Sequence, residues 1–386
     1  MRCVAVCVAV LLAARLGAAL PTAARAENSS RYALPEDMLL GAGLMAVQTE
    51  GAWNTEGKGE SAADRLFHTL PEIYPVSHDT AADSYNRYKE DVAMAAKLKL
   101  KLYKFSMSWS RILPTGDATK NNSAGVQYYH DLIKEIKSYG MTPMVMMYHL
   151  DHPQVLEDQF QGWQDPKMIE KFTEYARFLF DEYGQEVPLW GSINEPIMYC
   201  SYFNILFKRA KVHKTATGED MYTCIYHIIL AHKEAYKIFK EGRQSDCTDF
   251  IGLNIYFDYT VGYKHGANDS LPDDGTGTDL SVIQEALALT RQDLPFLETI
   301  GSTQISFSAM KEGLVWTHKT YNKPIIICEN GYGDTSGHGV HDHQRAAYYS
   351  ASLRTLVATV KDYGVKVLAY CAWSLIDSYE FTAGYE

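Results

Sequence analysis

The sequence predicts an α/β chain of the (β/α)8 barrel type, on three observations. Short apolar runs suited to strands buried on both faces alternate with amphipathic helical stretches along nearly the whole chain. Two of these runs end on a glutamate. Residues 324–328, PIIIC, lead into Glu329-Asn330-Gly331, and residues 188–193, PLWGSI, lead into Asn194-Glu195-Pro196. Finally, 386 residues with 46% hydrophobic content can fill one large barrel, and no linker or composition shift marks a second domain.

Taken in order, residues 1–26 read as a targeting segment. Arg2 precedes an apolar run over residues 4–14, too short to span a bilayer, and Ala19 or Ala26 offers a cleavage point. The remaining 27–386 are read as one domain. Residues 38–48, MLLGAGLMAVQ, form the first strand, and 79–98 the first helix, which starts at an N-cap residue. A strand at 100–109 precedes a helix at 123–138. A strand at 142–149 places His149 at its tip and is followed by a helix at 165–183. The Asn194-Glu195-Pro196 strand precedes a helix at 221–240. Only eight residues, 241–248, separate that helix from a strand at 249–256. A polar loop at 268–279 and a short helical stretch at 282–290 lead to a helix at 308–321. The Glu329 strand, a helix at 342–362 and a strand at 366–375 complete the order.

In a (β/α)8 barrel all strand C-termini converge on one face, where active sites are built. A carboxylate placed there is costly to leave unpaired. Two glutamates about 5–5.5 Å apart across a glycosidic bond are the equipment of a retaining glycosidase. One acts as an ionised nucleophile and the other as a protonated acid, and their mutual repulsion separates the two pKa values.

Six motifs carry a resemblance. They are FSMSWSRILPTG at 105–116, YHLDHPQVL at 148–156, NEP at 194–196, GLNIY at 252–256, ENG at 329–331 and WSLIDSYEFTAGY at 373–385. In this order the chain resembles glycoside hydrolase family 1, the β-glucosidases, lactase-like enzymes and myrosinases. The resemblance implies a TIM barrel and a retaining β-glycosidase acting on a small-molecule β-glycoside or oligosaccharide. It makes Glu329 the nucleophile and Glu195 the acid/base. Tyr256 would donate to Glu329, and Arg111 is expected beside it as the cation that keeps the carboxylate charged. Gln48, His149, Asn194 and Glu380 would hydrogen-bond the sugar, Trp373 would lie beneath it, and Phe381 would line the site.

The chain departs from the family at several points. Leu150 and Phe381 stand where tryptophans are usual, and Ser302 aligns with the tryptophan that stacks on the aglycone. The GLNIY motif belongs to the sixth strand, so eight residues replace a fifth strand and helix. The fold is therefore an incomplete barrel lacking its fifth βα unit and its final helix. The expectation is an open slot between the strands ending at Asn194 and Tyr256, with apolar side chains exposed beside the last and first strands. The alternative function is a catalytically impaired or non-hydrolytic sugar-binding paralogue, or an incomplete gene product.

A net charge of −11 argues against nucleic-acid partners, and no later segment reaches membrane-span length. Asn-x-Ser sequons at Asn28, Asn121 and Asn268 fit a secreted glycoprotein. Five cysteines remain beyond the leader. Cys328 and Cys371 sit inside core strands, and Cys200, Cys224 and Cys247 could pair in any combination. No Cys/His spacing indicates a metal, and no cofactor is implied. The oligomeric state is not legible.

Overall fold

The computed structural model describes residues 3–5, 32–210, 218–242, 249–256, 297–300, 303–333 and 339–385. Its strands are β1 (Cys3–Ala5), β2 (Leu39–Leu44), β3 (Leu102–Ser106), β4 (Thr142–Tyr148), β5 (Leu189–Ile193), β6 (Ile251–Asn254), β7 (Leu297–Ile300), β8 (Thr303–Ser306), β9 (Ile325–Asn330) and β10 (Val367–Trp373). Eight of them form one sheet in the order β1-β5-β4-β3-β2-β10-β9-β6, with every pairing parallel. This is the curled sheet of a (β/α)8 barrel that stays open between β1 and β6.

The continuous apolar runs form strands because both faces are covered. One face contributes Leu102, Met144, Met146, Ile326, Cys328 and Cys371 to a cluster inside the sheet. The other packs under the helices Ser84–Lys97, Ser123–Ser138, Lys167–Tyr183, Gly218–Gly242, Ser308–Tyr321 and His343–Tyr363. All six helices were legible in the sequence, within a few residues at their ends. The helices Ala62–Thr69 and Gln154–Phe160 and the antiparallel β7–β8 hairpin were not.

The slot expected between the Asn194 and Tyr256 strands is present, but it is not vacant. β5 and β6 do not pair, and Cys3–Ala5 lies along β5 with Cys3 opposite Leu189 and Ala5 opposite Gly191. The sequence reading had set residues 1–26 aside from the fold. Three of them here satisfy backbone groups that β5 would otherwise leave unpaired. Near the slot the helix Gly218–Gly242 exposes Tyr222, Tyr226 and Ile229, one face at i, i+4 and i+7, where a barrel helix normally meets a neighbour. Beside the last and first strands Leu40 is half-buried against the cluster of Met38 and Val367 rather than fully exposed, while the half-buried Leu39 and Leu368 pack against the cluster inside the sheet.

Of the possible cysteine pairings, Cys200–Cys224 is formed, with its Cα atoms 5.7 Å apart. Cys328 and Cys371 are buried and take no part in a disulfide among the described residues. Cys247, Ser302, the loop at 268–279 and the helical stretch at 282–290 lie outside the described residues.

Candidate active site

The strands deliver their chemistry at their C-terminal ends. β9 ends in Glu329-Asn330, and Glu329 is only 3% exposed. Its carboxylate accepts hydrogen bonds from Lys104 Nζ at 2.6 Å and from the Tyr256 hydroxyl at 2.7 Å. Lys104 rises from the middle of β3, is fully buried, and lies 5.1 Å from the centre of the Trp373 ring. A buried charge of either sign alone would cost several kcal/mol, so each is tolerable because the other is there.

Glu195 follows β5 in a left-handed backbone conformation, φ 41° and ψ 58°, and Pro196 opens a helical turn directly after it. Non-glycine residues hold such a conformation at a cost of about 1–3 kcal/mol, and it recurs where a side chain must be aimed. Asn254 Nδ2 donates to Glu195 Oε1 at 2.8 Å and to Asn194 Oδ1 at 3.3 Å. Asn194 Nδ2 in turn donates to His149 Nε2 at 2.7 Å. That bond makes Nε2 the acceptor and puts the imidazole proton on Nδ1, which has no partner among the described residues and can donate to a hydroxyl. Burial, with the Lys104 charge in support, holds His149 well below the ordinary imidazole range, so the ring is neutral.

The two glutamates have different surroundings. Burial first, then the charge of Glu329, push Glu195 up to about 7, against opposing contributions from Asn254 and Lys104. Glu329 receives a cation and a phenol, whereas Glu195 receives one amide. Burial and the neighbouring Glu329 also push Tyr256 well above the usual phenol range, so it keeps the proton it donates. This is the separation of roles that acid/base chemistry at a carboxyl pair requires.

A second wall closes the site. Gln48 lies in the turn Ala46–Thr49 after β2, and its amide donates to the Tyr379 carbonyl at 2.8 Å. Glu380 accepts from Ser378 at 2.8 Å and from Gln48; burial raises its pKa and these bonds oppose the rise. Trp373 ends β10 with its ring 6.0 Å from that of His149. Phe381 packs against Phe203 at 5.7 Å and Phe67 at 5.8 Å. Leu150 is buried in the core beside His149.

Arg111 requires correction. It does not reach Glu329. It lies in the helical turn Trp109–Ile112, where its Nε donates to Glu50 at 2.8 Å and an amino group to the Gly51 carbonyl at 3.1 Å. Tyr129 donates to the other Glu50 oxygen at 2.6 Å. The chain has already turned away from the site after β3 ends at Ser106, which aims Arg111 at the loop behind Gln48. The cation on Glu329 is Lys104, seven positions earlier. The signal was available: a lysine in the middle of a strand buried on both faces demands a counter-charge.

The sequence profile described as glycosyl hydrolase family 1 matches residues 30–247 and 243–386. The chain belongs to glycosyl hydrolase family 1. Its members include Myrosinase 1 of Brevicoryne brassicae, 28% identical over 92% of this chain and 92% of that protein. Beta-glucosidase 8 of Arabidopsis thaliana is 30% identical over 92% of this chain and 84% of its own length. A solved rice β-glucosidase superposes with a TM-score of 0.78 at 24% identity, covering 91% of this chain and 92% of that one, and so supports the fold. By family the chain is a β-glucosidase-like glycoside hydrolase. The two matched stretches meet at residues 243–247, where the sequence lacks a fifth unit. The alignment with the aphid enzyme spans 440 positions on a chain of 386 residues, so that relative carries residues absent here.

Proposed function

We propose that this family 1 hydrolase is a retaining β-glycosidase of β-glucoside-type substrates, with Glu329 as nucleophile and Glu195 as acid/base. The observation that carries the reading is the asymmetry of the pair: Glu195 is pushed up to about 7 while Glu329 is held by Lys104 and Tyr256. In the first step a Glu329 oxygen attacks the anomeric carbon and the bond to the aglycone oxygen breaks. Glu195 gives that oxygen its proton, leaving a glycosyl ester on Glu329. Esterification removes the Glu329 charge, which lowers the pKa of Glu195 and suits it to take a proton from water. The water oxygen bonds to the anomeric carbon as the ester bond breaks, and Glu329 is freed. The neutral His149, Asn194, Gln48 and Glu380 would recognise sugar hydroxyls, above Trp373. The name of the Arabidopsis thaliana relative, Beta-glucosidase 8, supports a glucoside substrate.

Aryl β-glucosides test this directly. Glu329→Gln should abolish turnover of every substrate. Glu195→Gln should spare glycosylation by a dinitrophenyl glucoside, whose leaving group needs no proton, and cripple it for a poor leaving group. Equal loss on both would refute the acid role of Glu195.

One observation favours a second reading, an impaired or sugar-binding relative. The slot between β5 and β6 adjoins the strands that carry Glu195, Asn254 and Tyr256. We also take residues 1–26 as a leader for secretion, supported by their composition and by the exposed sequon at Asn121; its removal would take β1 with it and leave the β5 edge of the slot uncovered in the mature chain.

A further inference from the structure

Outside the carboxylate site, three side chains converge near the end of the helix Ala62–Thr69. One ring nitrogen each of His68 and His78 and an Asp79 oxygen lie within 4.8 Å of one another. His68 Nε2 is 2.7 Å from Asp79 Oδ1, and His78 Nδ1 is 3.9 Å from the same oxygen. Two imidazoles and a carboxylate are a donor set suited to zinc and similar divalent ions.

A second observation points the same way. His78 is 3% exposed, and its Nδ1 makes no hydrogen bond among the described residues. Its other nitrogen is accounted for, because Nε2 lies 2.9 Å from Asp64 Oδ1. Asp64 also accepts from Lys58 at 2.6 Å and from the Ser61 amide at 2.7 Å, as the carboxylate of the capping box that starts this helix. A carboxylate surrounded by donors makes Nε2 the donor to it and leaves the lone pair on Nδ1, facing Asp79. Such a carboxylate–histidine relay is how proteins orient a metal-ligating imidazole. A buried nitrogen lone pair without a donor carries the penalty of an unsatisfied polar group, which a metal ion removes.

We propose that His68, His78 and Asp79 bind one divalent ion of the zinc class, with Asp64 orienting His78 and water completing the coordination. At metal–ligand distances of about 2.0–2.1 Å, tetrahedral ligand atoms lie about 3.3–3.4 Å apart. The present spread is reached by small rotations of His68 and Asp79, which are 35% and 42% exposed and lie on the solvent side of the buried His78. The ion has a structural task. It ties the end of the helix to the segment carrying Asp79. His78 also packs 5.8 Å from the Tyr379 ring, and Tyr379 is held to Gln48 through backbone and side-chain bonds. The ion therefore stiffens the support of the Gln48–Glu380 wall without touching the reacting atoms.

Spacing alone could not reveal this group, since eleven residues and a change from helix to loop separate His68 from Asp79. The experiment is titration of chelator-treated full-length protein with zinc chloride, followed by calorimetry, and with cobalt chloride, followed by visible absorption. The expected result is one equivalent bound, a four-coordinate cobalt spectrum and a raised thermal midpoint. His68→Gln, a half-exposed change that leaves the core intact, should weaken binding about 10- to 100-fold, and His78→Gln should abolish it. Glu329→Gln should leave it unchanged. Absence of saturable binding, or binding unaffected by both histidine changes, overturns the proposal.

Discussion

Replacing Glu195 by Gln should stabilise the protein at alkaline pH while removing its proposed acid/base group. Folding raises the Glu195 pKa from 4.5 to about 7. Below pH 4.5 both folded and unfolded chains carry the proton, and the group contributes nothing to stability. Between 4.5 and 7 the folded chain retains a proton that the unfolded chain has released. As pH rises through that window the folded state is progressively penalised, and above 7 the penalty is complete. At roughly 1.4 kcal/mol per unit the penalty is about 3 kcal/mol. A glutamine has almost the same shape, can still accept from Asn254 Nδ2, and escapes the penalty. With an unfolding entropy of about 2 cal/mol/K per residue, the gain is about 4 °C in thermal midpoint. Scanning calorimetry of both proteins at pH 4.5 and pH 8.5 measures it. The expected difference appears at pH 8.5 and vanishes at 4.5. An equal difference at both values would refute the reasoning, since the environment would then not be penalising the charged carboxyl.

Three other outcomes are expected. The kcat/KM for an aryl β-glucoside should fall as pH rises through about 7, because the proposed glycosylation step requires protonated Glu195; a profile flat to pH 9 contradicts this. Lys104→Met should cost about 3–5 kcal/mol of stability by leaving Glu329 buried without its cation, read from denaturant unfolding; Arg111→Met should leave the Glu329 chemistry in place and act on stability through Glu50. Residues 27–386 alone lack β1, so they should unfold at lower temperature and self-associate more than the whole chain, measured by calorimetry and size-exclusion chromatography. A soluble monomer of 27–386 with a sharp transition and full β-glucosidase turnover would contradict that expectation.

Much of this architecture was legible because the barrel writes itself twice, in buried apolar strands and in helices of 3.6-residue period. The glutamate pair was legible because each carboxylate follows a strand that has no room for an unpaired charge. Arg111 was misplaced because a residue's distance along the chain from a strand end says little once the backbone turns. Five residues beyond Ser106 it belongs to another wall, while Lys104, inside the strand, reaches the pair. The Asn254–Asn194–His149 relay was invisible for the same reason, since it joins three strands through side-chain rotamers. The helix Ala62–Thr69 begins with a capping box, Ser61 with Asp64, a signal that was present and overlooked.

The slot links fold to function most closely. In a closed barrel each strand is positioned by two neighbours, so the residues at its tip inherit a rigid frame. Here, among the described residues, β6 pairs with β9 and with no other strand, yet it carries Asn254 and lies just before Tyr256, which contact the two glutamates. Its other edge is tied through side chains, by the Asn254 bonds to Asn194 and Glu195 across the gap. Those hydrogen bonds serve twice, as the chemistry that sets Glu195 and as the bridge that substitutes for a missing ladder. Asn254→Ala would therefore disturb more than one carboxyl. It would free Tyr256 from the β5 side and loosen its hold on Glu329, so that loss of the proposed acid function and of the proposed nucleophile's orientation would arrive together.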